Sequence, residues 1–143
     1  MNSLELIKNI FEEPNLTKLN IKIRETGDLL KSDVITKQNV IKGINSLFEY
    51  IKICDDESTI ENILNTALSI MESHNIYAGF NLDILLHSLD KLNFECISYV
   101  LSFLGFSGEQ KYIKIIKSFL EVKELREDAE DALREIDYQL AKK

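Results

Sequence analysis

The chain has 143 residues, 45% of them hydrophobic and 29% charged, too apolar for a disordered polymer and long enough to bury its own core. Its 17 Lys and Arg stand against 24 Asp and Glu, a formal charge of −7, so nucleic-acid phosphate is repelled and a basic protein is attracted. One Pro and five Gly are too few for a chain of many short strands and turns, which leaves helices.

The opening MNSLELIKNIFEEP sets acids among its apolar residues, so it reads neither as a signal peptide nor as a membrane span, and a cytoplasmic location is expected. Spacing predicts a first helix over Ser3 to Glu13, with Leu4, Ile7, Ile10 and Phe11 on one face and Pro14 as its stop. From Asn15 to Ser32, LNIKIR alternates like a strand while Leu16, Leu19, Ile23 and Leu30 fit a helix. A helix is favoured, because a lone strand has nothing to pair with.

Val40, Ile41, Ile44, Leu47, Phe48 and Ile51 then follow the 3.6-residue period between Thr36 and Cys54, and CDDES breaks it. Ser58 with Glu61 reads as a capping box opening a helix that runs to about Ser73. Asn81 is expected to cap a leucine-rich helix holding Leu82, Leu85, Leu86, Leu89 and Leu92. FECISYVLSFLG is apolar almost all round, as a central helix is, and Gly105 is expected to close it. Ser107 is expected to begin the next helix, with Tyr112, Ile113, Ile115, Ile116, Phe119 and Leu120. The last helix reaches about Ala141, with Leu125, Ala129, Ala132, Leu133, Ile136 and Leu140 on one face.

Cys54 and Cys96 lie inside apolar patterns, which suits two buried thiols better than a disulfide. His74 ends a helix and His87 lies on the leucine-rich one, both in structural positions. The acids Asp55, Asp56 and Glu57 lack the alternating ligands and the glycine of a calcium loop. No zinc-ligand spacing, glycine-rich phosphate loop or Ser, His and Asp set is visible, so no metal or cofactor is expected and catalysis is disfavoured.

Sliding the final pattern back 32 positions aligns Ala129, Ala132, Leu133 and Ile136 with Ile97, Val100, Leu101 and Leu104; sliding it back 65 gives Leu64, Ala67, Leu68 and Met71. Amphipathic helices thus recur in pairs from about Thr36 onward, with two further helices ahead of them. The run Leu125-Arg126-x-x-Ala129-x-x-Ala132-Leu133-x-x-Ile136 resembles the second helix of a HEAT repeat, and Leu104-Gly105 before a new helix resembles the junction between such repeats. That resemblance implies one all-α domain over residues 1–143, a short right-handed superhelix of antiparallel helix pairs with about seven to eight helices. HEAT folds carry no single function.

In such a stack the second helices present a row of outward positions. The same shifts bring together Thr66, Tyr99 and Asp131, then Ser69, Ser102 and Arg134, then Ile70, Phe103 and Glu135. Thr66, Ser69, Glu95, Tyr99, Ser102, Phe103, Glu127, Asp131, Arg134, Glu135 and Tyr138 are therefore the expected partner-binding residues, aromatic anchors within a charged rim. The alternative for Tyr99 and Phe103 is packing beneath the N-terminal helices. In general character, small, acidic and helical, the chain also resembles the helical immunity proteins of bacterial contact-dependent growth inhibition systems, which bind a delivered toxin domain. This implies a monomer that joins a basic cognate toxin, such as a nuclease, in a heterodimer and occludes its active site. A HEAT-like adaptor for a cellular protein is the alternative.

Overall fold

The strand-like alternation of LNIKIR gives way to a helix. In α2 (Leu16–Leu30), Leu19, Ile23 and Leu30 fall on one buried face while Ile21 remains 48% exposed. Asn15 Oδ1 accepts from the Lys18 amide at 3.0 Å and starts that helix, just after Pro14 separates it from α1 (Ser3–Ile10). The structure, a computed structural model, describes residues 3–142 without the side chains of residues 3, 4 and 6, so Leu4 lies outside the described side chains. Among the described residues there are eight α-helices, four short 3-10 turns and no strand.

Thr36 caps α3 (Lys37–Ile51), accepting from the Asn39 amide. The cap of α4 (Glu57–His74) is Asp56, two residues ahead of the expected Ser58. Its carboxylate accepts from the Thr59 amide at 2.9 Å and from the Thr59 hydroxyl at 2.7 Å. A charged cap with two donors at a helix N-terminus prevails over a neutral serine, and Ser58 is left exposed in the first turn.

The leucine-rich segment makes only one α-turn, α5 (Asp83–Leu86), and a 3-10 turn over Leu89–Lys91, with His87 just past the end of α5. Asn81 caps nothing; its amide donates to Asn45 Oδ1. Lys91 explains the interruption, since its ammonium donates to the carbonyls of Ile51, Lys52 and Cys54 at 2.5, 3.2 and 2.8 Å. Reaching those carbonyls carries the chain across the end of α3 in place of a continuous helix.

Asn93 caps α6 (Phe94–Ser107), which runs on through Gly105 and closes at Gly108, whose φ of 65° is the left-handed cap conformation. Ser107 therefore ends this helix and does not begin the next, which is a 3-10 turn leading into α7 (Ile113–Ser118). The last helix is α8 (Arg126–Ala141).

The helices form two layers. In one, α1 packs on α3 and α3 on α5; in the other, α2 packs on α4, α4 on α6 and α6 on α8. Hairpin contacts of α1 with α2, α3 with α4 and α7 with α8 tie the layers together, so the two N-terminal helices form a first pair of the same stack. Ile44, Leu47, Phe48, Ile63, Leu64, Leu101, Phe103 and Leu104 are among its fully buried side chains. Cys54 and Cys96 are buried free thiols, as their apolar settings predict. No helix among the described residues is long and apolar enough to cross a membrane.

Candidate protein-binding site

Thr66, Tyr99 and Ala132 each face the preceding helix of the second layer. Thr66 lies against Gly27 of α2, the Tyr99 hydroxyl donates to Asn65 Oδ1 of α4 at 3.2 Å, and the Ala132 backbone lies against Gly105 of α6. These equivalent positions are 33 residues apart, so a final shift of 32 slips α8 by one residue, a rotation of about 100°. The slip accounts for the fate of the expected row. Glu127, Asp131, Arg134 and Tyr138, spaced as one helical face, stand exposed on the outer side of α8, where Arg134 pairs with Asp131.

Thr66 and Phe103, both expected on the binding surface, are interior. Phe103 is 1% exposed and its ring lies 5.6 Å from that of Phe48, so it belongs to the core between the layers. Ser69 and Ser102 are half-buried, and Glu135 is half-buried with its Cβ close to Gly105. Of the expected residues, Glu95 and Tyr99 meet in one cleft.

That cleft, of about 370 Å³, lies where α4, α6 and α8 begin. It is lined by Glu61 of α4, by Phe94, Glu95, Ser98 and Tyr99 of α6, by Glu124 in the 3-10 turn just before α8, and by Asp128 in the first turn of α8. Four carboxylates surround two aromatic rings, and no lining residue is basic. Glu95 and Asp128 lie in the first turns of α6 and α8, where the helix dipoles favour carboxylates. Phe94 is 49% exposed although apolar, and the Tyr99 ring is held half-buried by its bond to Asn65.

The shortage of cations shows in the acid–base properties of the site. Glu61 has its carboxyl raised above the usual range, first by a hydrogen bond with Glu95, then by desolvation and by the Glu95 charge. Burial pushes the Cys96 thiol up to about 11, with Glu61, Glu57 and Glu95 adding to it. Burial also raises Tyr99, and Glu61, Cys96 and Glu95 reinforce it. The carboxylates do not converge as metal ligands: among the described residues, no three His, Cys, Asp or Glu side chains could hold an ion.

No family model matches this chain. Comparison with curated proteins and with solved structures likewise finds no match. The site therefore rests on its own chemistry. Glu61, Phe94, Ser98, Glu124 and Asp128 escaped the reading of outward positions, yet one signal for them was present, because Glu95 and Asp128 stand at the true interval of 33 residues.

Proposed function

We propose that this protein binds a basic protein through the acidic cleft at the start of α4, α6 and α8, and that it acts as an immunity protein neutralising a cognate toxin. The observation that carries this reading is the meeting of Glu61, Glu95, Glu124 and Asp128 around Phe94 and Tyr99 with no basic residue in the lining. Such a cleft attracts Lys or Arg at long range, which speeds encounter, while the rings offer faces to a guanidinium or an aliphatic stem. Covering the toxin's substrate site then needs an interface of about 1,200 to 2,000 Å² in total, within reach of a chain this size.

The test combines the protein with the product of the gene beside its own and follows the activity of that product. Activity should fall as the protein is added, and Glu95→Lys with Asp128→Lys should slow association by about tenfold or more and weaken its salt dependence. Undiminished activity at saturation would end the immunity reading. Tight binding without inhibition would favour an adaptor.

A further inference from the structure

The acidic cleft has a chemical opposite at the other end of the same helices. Where α4 and α6 end, a second cavity of about 390 Å³ is bordered by Lys37, Asn75, Tyr77, Phe106, Gln139 and Lys142, and none of its lining residues is acidic. The Tyr77 and Phe106 rings meet there with centroids 4.9 Å apart. Residues from the beginnings of α4, α6 and α8 line one cavity and residues from their ends line the other, so these three helices run parallel.

Along α6, Phe94 and Phe106 mark the two cavities and stand about 18 Å apart, twelve residues at the helical rise. Between them the accessible positions are exposed Glu95, which belongs to the acidic cleft, and half-buried Ser98, Tyr99 and Ser102. The result is a strip about three turns long with an aromatic ring at each end, carboxylates at one end and ammonium groups at the other. An ordinary helix carries acids in its first turn and bases in its last, because its own dipole favours them there. Laid antiparallel to α6, such a helix meets opposite charge at both ends, and its dipole opposes those of α4, α6 and α8. Laid parallel, it meets like charge at both ends.

We infer that the open side of α6 takes one amphipathic helix of a protein partner, antiparallel to α6, with Lys or Arg near its C-terminal end over the cleft and Asp or Glu near its N-terminal end against Lys37 and Lys142. This deepens the proposed function and rests on it, since it names the segment by which a basic partner is gripped.

Two synthetic helical peptides of about 18 residues test it. They share one composition and apolar residues about three turns apart; one has Glu in its first turn and Lys and Arg in its last, and the other has these charges exchanged. Titration calorimetry with the full chain should show the first binding at least about tenfold tighter. Lys37→Glu with Lys142→Glu, at two exposed positions, should abolish the preference, with circular dichroism confirming the fold. Equal affinities, tighter binding of the exchanged peptide, a preference that survives the lysine changes, or no binding of either peptide at millimolar concentration would overturn the inference. If Glu95→Lys with Asp128→Lys still slows association with the toxin while the peptides show no preference, the antiparallel helix alone fails and the binding of a basic protein stands.

Discussion

Between α2 and α4, Gly27 lies under the side chain of Thr66; between α6 and α8, Gly105 lies under the backbone of Ala132. A Cβ at residue 27 would fall 2.6 Å from Thr66 Cγ2, whereas one at residue 105 would fall 3.0 Å from the Ala132 carbonyl oxygen and 3.1 Å from its Cα. Both seams need a glycine, but only the first obstacle is a methyl group that substitution can remove. The surroundings differ as well. The α2/α4 seam is polar, with Asn20 donating to Thr59 Oγ1 at 3.0 Å and Asn62 donating to Asn20 Oδ1 at 2.8 Å, while the α6/α8 seam sets buried Ala132 against α6. Close approach of helices can thus be fixed by hydrogen bonds or by absent side chains.

The sharpest way to break the comparison is Gly105→Leu. It drives a branched side chain into a helical backbone, and urea denaturation should show a loss of about 3 kcal/mol or more. Asn62→Ala attacks the polar seam and leaves Asn20 Oδ1 without its donor, which should cost about 2 kcal/mol in the same measurement. Gly27→Ala should cost about 1 kcal/mol, because the clash with Thr66 outweighs the gain in helix propensity. Adding Thr66→Ser removes the obstructing methyl and should restore stability to the starting value or above. No single side-chain truncation should rescue Gly105→Ala, since its obstacle is backbone; a rescue would erase the distinction between the seams.

The smallest expected effect concerns the α4/α6 seam, where Glu61 meets Glu95. The Glu61 carboxyl is raised above its ordinary value of 4.5, so the folded state holds that proton more tightly than the unfolded one. Its contribution to stability is complete below pH 4.5 and is lost as pH rises through the folded value. Glu61→Gln should flatten the decline seen in melting temperature above that pH; an unchanged slope would show that the two carboxyls do not interact.

Much of the helical content was legible in the sequence, because the periods of Val40 to Ile51 and of Leu125 to Ile136 admit one reading and the buried faces follow them. The small alanines of α8 also pointed to close packing, and Ala132 meets Gly105. Other features depended on contacts far along the chain. Asn81 and the leucines after it look like a capped helix until Lys91 reaches the end of α3. Thr66 and Phe103 look available until α2 covers one and the other layer covers the other, and nothing local in their segments encodes that cover. The cleft was hidden by a single residue of register, since an interval of 32 turns Asp131 toward the site and 33 turns Asp128 there.

Lys91, which reaches the end of α3 from the turn after α5, serves the fold through its geometry as well as its charge. All three protons of the Lys91 ammonium have carbonyl acceptors, so the group works as a tripod standing on three peptide oxygens. A guanidinium spreads its donors in a plane and cannot bring three of them to one apex. Arginine at this position would match the charge and lose the geometry, freeing the end of α3 to unwind and the short turns after α5 to drift from their anchor.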